Sequence, residues 1–510
     1  MTSVLVIGAG IGGIAAAARL ARAGYQVTVI EKNARPGGRC DQIVRDGHRF
    51  DVGPTLFLMP EVFAETYQAL GQRMEDHLDL RRINPTYRIR FDDGSQITLS
   101  ADINQMQPQL EAIEPGSFNG FLRYLAEGNL HYKLSLEKFV GRNFYSLLDY
   151  FSPGNLPLLF QLKALKKHYD NVGNYFTHPY LKAAFTFQNM YLGLSPYDAP
   201  ATYSLLQYTE LADGVWFPMG GMYRVIESLT GIAESLGVKF IYSAPAKQIE
   251  VVGDRATGVI LEDGRRLPAD LIVANADLPY VYDKLLPDRA EAERIDRMKF
   301  TCSALMFYWG VDKIYPQLGM HNVFLAGDYK ASFDAIFNDS SLPVEPSLYV
   351  HAPARVDPTA APEGQDTLIV LVPVGHLDEG KAQDWDGMRA RARKATLDRL
   401  ADIGVTDLEQ HLKFEISYTA EDWQQMYNLA KGAAFGLSHN FWQVGYLRPQ
   451  NRHAHYRNLY FAGASTHPGT GLPIVLLSAK LTTERILKEQ PLAQRHPASL
   501  PGKTAMEGVR

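Results

Sequence analysis

Glycine spacing carries the first chemistry in this chain. Gly8-Ala9-Gly10-Ile11-Gly12-Gly13 follows a short aliphatic run at 4–7 and opens an alanine-rich stretch at 14–23 that reads as a helix. A G-x-G-x-x-G turn between a buried strand and a helix receives a pyrophosphate: Gly8 permits the tight turn, Gly10 lets the backbone meet the phosphates, and Gly13 lets the helix pack closely on the strand. A second strand at 26–30 ends at Glu31, 18 residues after Gly13, with Lys32 beside it. A carboxylate there accepts hydrogen bonds from both ribose hydroxyls and repels a 2′-phosphate. Gly37, Gly38 and Arg39 follow, adding backbone N–H groups and a fixed cation for a diphosphate. Together these residues make a dinucleotide site, and the motif itself does not separate NAD from FAD.

A second glycine-rich loop stands near the other end. In "GASTHPGTGLPIVLLSAK", residues 463–480, three glycines and two prolines fall within the first eleven positions, and an apolar helical stretch follows. Loops of this kind let a backbone approach a ligand and aim a helix N-terminus at it. No Ser-His-Asp order, H-E-x-x-H or metal-spaced His/Cys cluster accompanies either loop, which leaves the reaction to the cofactor. His467 in "THPG" and Asp149 are the side chains that could handle a proton. His467 reads better as a loop anchor, and no catalytic side chain is assigned.

The remaining composition narrows the class. At 510 residues the chain needs two or three domains. A formal charge of -5, with no basic arm, argues against a nucleic-acid partner. The two cysteines, Cys40 and Cys302, lie far apart, so a disulfide framework or CxxC pair is unsupported and a reducing cytoplasm fits. No run of 18 apolar residues suggests a spanning helix, no targeting signal opens the chain, and residues 491–510 read as a disordered tail.

Further elements must position these loops. Residues 270–274 read as a buried strand, and 246–270 as a small β-meander. Strands are expected at 300–311, 321–326, 346–352 and 367–374, whose apolar content suits the floor of a greasy tunnel or a plain sheet core. In 143–176, aromatics and leucines sit beside Lys163, Lys166 and Lys167, as in an interfacial helix with snorkelling cations or a helix packed on the core.

The opening "VIGAGIGG…ARLARAGYQVTVIEKNARPGGRCDQIVRDGHRFDVGPT", the middle "FQNMYLGLSPYDAPATYSLLQYTELADGVWFPMGGMYRVIESL" and the closing "NLYFAGASTHPGTGLPIVLLSAK" resemble the bacterial and fungal carotenoid desaturases, the phytoene desaturases, across most of residues 1–490. The resemblance implies an α/β fold with a discontinuous Rossmann-type FAD-binding domain at 1–95, 215–290 and 435–490. It implies a helical substrate and membrane-contact region at 96–214 and an inserted α+β substrate domain at 291–434. FAD would lie extended, its ADP half on the first loop, with Gly53, Pro54 and Thr55 in the binding set and Ala246 touching the adenine through its backbone. Gly463 would lie near the pyrophosphate and ribityl chain. Gly471, Leu472 and Pro473 would set a helix N-terminus against the flavin pyrimidine ring, where negative charge develops on reduction. Two distant loops thus hold two ends of one long cofactor. Ala464 stands where many flavoproteins of the wider superfamily carry an acid, so that contact must come from elsewhere.

The activity this implies is FAD-dependent desaturation of phytoene to lycopene or a related polyene, at the surface of a membrane reached from the cytoplasm. A C30 dehydrosqualene desaturase and a hydroxycarotenoid dehydrogenase are alternatives. A non-catalytic escort protein that binds prenylated partners is an alternative of another class. Oxygen or a membrane quinone is the expected electron acceptor, and the oligomeric state stays open.

Overall fold

The computed structural model describes residues 2–492, so the tail expected at 491–510 lies, from residue 493 on, outside the described residues. Five parallel strands form one sheet in the order Leu459–Phe461, Leu271–Ala274, Ser3–Ile7, Gln26–Ile30 and Lys239–Ile241. Val4 pairs with Leu271 and Val27, and Ile272 with Leu459. Unbroken runs of Val, Ile, Leu and Ala suit strands covered on both faces, and all four residues of Leu271–Ala274 are buried.

The helix Ile11–Arg22 lies on this sheet and meets Tyr223–Ser235 and Leu472–Glu489. Ala15, Ala16, Ala17 and Ala18 are fully buried, and their small side chains let the helices approach. The residues expected at 246–270 form the three-stranded antiparallel meander Ala246–Val252, Arg255–Leu261 and Arg266–Pro268.

A second sheet of seven strands runs in the order Leu412–Tyr418, Ser303–Val311, Asp366–Val374, Leu348–His351, His321–Phe324, Tyr87–Arg90 and Gln96–Leu99. Every residue of Ser303–Val311 is buried because both faces are covered. Leu305, Phe307 and Trp309 pack with Met388 and Ala392 of the helix Trp385–Ala401. Ala304, Met306 and Tyr308 face the other way, towards Phe50 and Trp423. The strands Tyr87–Arg90 and Gln96–Leu99, which the expected boundary at residue 95 divides, lie together here: Asn322 pairs with Arg88 and extends the edge.

Residues 143–176 depart from the single helix expected. They form three short helices, Leu147–Tyr150, Leu156–Gln161 and His168–Val172. Pro153 and Gly154 fall between the first two, and the left-handed φ of 49° at Lys163 lies between the last two. Lys163 turns inward to Glu127 and Asn171, and Lys167 pairs with Asp198. Leu148 (84% exposed), Phe160 (77%) and Leu165 remain on the surface.

Candidate active site

The first glycine loop and the segment after Glu31 close on each other. Gly8 and Gly37 take φ of 99° and 127°, which a side chain would oppose. The Gly37 N–H donates to the Ala9 carbonyl at 2.8 Å, and a Cβ on Gly38 would lie 3.4 Å from the Gly10 Cα. A Cβ on Gly13 would lie 2.1 Å from the Gly8 carbonyl oxygen, so this glycine is needed for helix-on-strand packing.

Glu31 is buried, and its two oxygens accept from the Ala9 and Asn33 N–H groups at 2.7 and 2.8 Å. Burial raises its pKa above the ordinary carboxylate value. Each oxygen keeps a lone pair for a hydroxyl. Lys32 is already engaged, donating to the Gln425 carbonyl and Asn428 Oδ1 at 2.7 and 2.8 Å.

The last strand brings the second loop to the same place. Gly471, with φ of 102°, precedes the helix Leu472–Glu489, and Val475 in its first turn lies against Gly12, where a Cβ would sit 2.7 Å from Val475 Cγ1. Two helix N-termini therefore converge on one cavity, where they favour negative charge. Asn275 stitches the loops together: its Nδ2 donates to the Ala462 carbonyl at 2.7 Å, and its Oδ1 would meet a Gly10 Cβ at 2.8 Å.

Behind the second loop, Arg448 is completely buried and donates to five carbonyls, those of Leu437, Ser438, Gln443, Ala464 and Thr466. Burial lowers its pKa to about 10. An arginine before a proline in a polar loop carries no sequence signal of this role. His439 has a similar hidden function. Its Nε2 accepts from the Thr470 N–H at 3.0 Å, which leaves the proton on Nδ1, buried at the cavity wall without a partner among the described residues.

The cavity enclosed by these parts measures about 540 Å³. Of the residues singled out in the sequence, Gly8, Gly10, Glu31, Lys32, Gly38, Arg39, Gly53, Pro54, Thr55, Ala246, Gly463, Ala464, Gly471, Leu472 and Pro473 line it, and Gly13 does not. Phe187, Met190, Leu206, Val323, Leu325 and Phe333 line the same cavity and make up its apolar arm.

Arg39 reaches the wall with Nη1 on the Ala434 carbonyl at 2.8 Å and faces the buried Asp277, whose charge opposes the lowering of the Arg39 pKa by burial. Asp277 also lines the cavity and was not singled out in the sequence. His467 stays outside: its Nε2–H donates to the Arg142 carbonyl at 2.9 Å, the anchoring role expected of it, and burial lowers its pKa to about 4. Asp149 also stays outside, paired with Arg142 at 2.6 Å.

Glycines that a side chain would fill, two helix N-termini, a ribose-type carboxylate and an unpartnered His439 N–H suit a long, diphosphate-bearing dinucleotide, and the apolar arm suits a greasy substrate beside it. These features define an FAD-dependent oxidoreductase with a flavin amine oxidase-like α/β fold. The chain belongs to the flavin containing amine oxidoreductase family, whose model matches residues 11–487. It is 46% identical over 512 residues to the zeta-carotene-forming phytoene desaturase of Myxococcus xanthus, a match covering 99% of this chain and 98% of that protein. It is 36% identical to a 4,4′-diapophytoene desaturase of Staphylococcus aureus, over 95% of this chain and 99% of that one. Among solved structures, a putrescine oxidase variant aligns with a TM-score of 0.65 over 96% of this chain and 99% of its own, at 16% identity, a likeness of fold alone.

Proposed function

We propose that this enzyme is a carotenoid desaturase whose substrate is C40 phytoene, taken by successive desaturations to a conjugated polyene. The observation that carries this reading is the 46% identity to a phytoene desaturase along nearly the whole chain. The apolar arm beside Thr55 supports it, because a hydrocarbon offers no polar group to recognise and must be held by shape and burial. The C30 reading draws on the more distant 36% relative.

In this reading 1–95, 215–290 and 435–490 build a Rossmann-type domain for the cofactor, with the adenine end at Ala246 and Glu31 and the flavin end at Gly471–Pro473. Bound FAD supplies a two-electron acceptor for a hydride. Gly10, Gly38 and Arg39 hold the diphosphate. Phe187, Met190, Val323 and Phe333 hold the chain straight and exclude water, so that one saturated bond at a time lies against the ring. Leu148, Phe160, Leu165 and Trp442 form a surface through which the substrate is drawn from a membrane, with the protein lying on one leaflet. No helix among the described residues is long and apolar enough to cross a membrane.

Expression in cells that make only phytoene, beside cells that make only dehydrosqualene, tests the substrate. Colour in the first is expected. Colour in the second alone moves the assignment to the C30 substrate, and colour in neither overturns it.

A further inference from the structure

Desaturation places a proton as well as a hydride. Asp149 and His467, the two proton-handling candidates of the sequence, stay outside the cavity. The cavity wall offers another route. Tyr191 lines the cavity, and its hydroxyl donates to the Tyr87 hydroxyl at 2.5 Å. Tyr87 in turn donates to Glu210 Oε1 at 3.1 Å. Glu210 is wholly buried in a π-helical turn, Thr209–Asp213, a geometry that recurs at functional sites.

The network behind Glu210 is turned to keep it an acceptor. Gln188 Nε2 donates to Glu210 Oε2 at 3.2 Å, Gln207 Nε2 donates to Gln188 Oε1 at 2.7 Å, and the Tyr124 hydroxyl donates to Gln207 Oε1 at 3.0 Å. Among the described residues no Lys or Arg pairs with this carboxylate, so it is not half of a buried ion pair. A buried acid with no cationic partner is costly to keep ionised, and such groups cluster at functional sites.

Donor direction gives that use. Tyr191 points its proton at Tyr87 and Tyr87 points its own at Glu210, which leaves an oxygen lone pair of Tyr191 for the cavity. The head of this chain lies near Thr55, because the Tyr349 hydroxyl bonds Thr55 Oγ1 at 2.8 Å and His321 Nδ1 at 2.7 Å, and the His321 ring packs on Tyr87 with centroids 5.7 Å apart.

We propose that Tyr191, Tyr87 and Glu210 form a relay that takes the proton released when the hydrocarbon is desaturated. The inference rests on the desaturase reading above. Bound FAD would take one hydrogen of the saturated bond as hydride, with that C–H bond's pair of electrons. The C–H bond on the adjacent carbon breaks the other way, its electron pair becomes the new π bond, and its proton binds the Tyr191 oxygen. Tyr191 passes its own proton to Tyr87, Tyr87 passes one to Glu210, and the carboxylate ends neutral. Between turnovers the same phenols return the proton to the cavity, where reoxidation of the cofactor by oxygen or a quinone would consume it together with the hydride. Tyr191 touches the substrate, whereas Tyr87 and Glu210 act through it.

Burial raises the Glu210 pKa to about 7, which lets the group both accept and release a proton near neutrality. The groups facing it are Tyr87, Tyr191, Gln188 and, through Gln207, Tyr124. Burial holds all three phenols well above their ordinary value and holds nearby His321 neutral, so among the groups facing this carboxylate the neutral-range titration belongs to Glu210.

The test uses holoenzyme on liposomes carrying phytoene, comparing wild type with Glu210→Gln and Tyr191→Phe. Anaerobic flavin bleaching is followed from pH 5.5 to 8.5, together with FAD content, phytoene retention and the infrared carboxyl band. The expected wild-type rate rises through about pH 7, with a carboxyl band that titrates in step. Both variants should bleach about 100-fold more slowly or worse, with FAD and phytoene retained, and Glu210→Gln should lose the pH dependence and the titrating band. Wild-type-like bleaching in Tyr191→Phe overturns the relay, and so does the absence of a titrating carboxyl in the wild type. If Glu210→Gln does not fold, Tyr191→Phe at the cavity wall decides alone. If the wild type is not bleached by phytoene, the substrate reading fails, and the infrared titration then decides for or against the proton-holding carboxyl.

Discussion

The Ser465 hydroxyl donates to the Asp277 carboxylate at 2.6 Å, joining the loop after the strand Leu271–Ala274 to the loop after the last strand. The same carboxylate accepts from the Ala430 N–H at 3.2 Å and faces Arg39 across the cavity wall. Ala464 leaves the second loop without an acid of its own, and Asp277 brings one to its neighbour. Asp277→Ala should therefore free Ser465 and the Ala430 N–H and loosen the second loop that holds the cofactor. We expect FAD affinity to fall by roughly one to two orders of magnitude, matching the ~1.5–3 kcal/mol of a hydrogen bond to a charged group, with Asp277→Asn milder. Fluorescence titration of apoprotein with FAD measures this, and wild-type affinity in Asp277→Ala would show that the acid is dispensable.

Glu210 sets a second expectation, on stability. Its folded pKa of about 7 lies above the ordinary 4.5, so the fold binds this proton more tightly than the unfolded chain does. The stabilisation is fully present below about pH 4.5 and is lost as pH rises through about 7. Wild type should lose up to ~3 kcal/mol across that window relative to Glu210→Gln. Denaturant midpoints of the two proteins at pH 5 and pH 8 give the comparison. A difference that does not change with pH would mean that Glu210 keeps an ordinary pKa.

Local signals are what the sequence shows well. The strand at 4–7, the glycines at 8–13 and Glu31 act within thirty residues of one another, so spacing alone places them, and Gly13 is legible because only helix-on-strand contact requires it. The strands at 303–311 and 366–374 are legible because sheets covered on both faces need unbroken apolar runs. Asn275, Asp277, His439 and Arg448 are not legible, because their partners lie from 5 to 188 residues away in sequence and each would look at home in a solvated loop. The segment 143–176 has the composition of an amphipathic helix but not its continuity: Pro153, Gly154 and the inward pull of Glu127 on Lys163 divide it, and this changes how it could meet a membrane.

With Lys163 drawn inward to Glu127 and Lys167 paired at the surface with Asp198, membrane contact should depend more on apolar area than on lipid charge. Leu148, Phe160, Leu165 and the 72% exposed Trp442 supply that area, each worth roughly 1.5–3 kcal/mol if fully buried. Leu148→Glu with Phe160→Glu should abolish co-flotation with liposomes while FAD content stays normal. Flotation of the wild type should survive moderate salt. Unimpaired flotation of the double variant would move the contact surface elsewhere.

The apolar arm should also set where desaturation stops. Each new double bond stiffens the hydrocarbon, and the next saturated bond reaches the ring only if the leading end can advance. Val323 stands on the strand His321–Phe324 and Phe333 on the helix Tyr329–Phe337, which also lines the arm and where Phe333 packs edge-on to Tyr329 with centroids 4.9 Å apart. Val323→Phe narrows the arm without removing a hydrogen bond, and overpacking of this kind costs ~1–3 kcal/mol. Phe333→Ala opens it at a cost of ~3–5 kcal/mol, so its product must be normalised to folded, FAD-bearing enzyme. In cells supplying phytoene, Val323→Phe should shift the pigment to shorter conjugation, read as absorption at shorter wavelength, and Phe333→Ala to equal or longer conjugation. Identical product spectra in both variants would mean that this arm does not receive the advancing chain. A shift to longer conjugation in Val323→Phe would mean that the substrate enters from this side, and that other residues of the cavity wall, Leu192 and Phe435 among them, set where the chain stops.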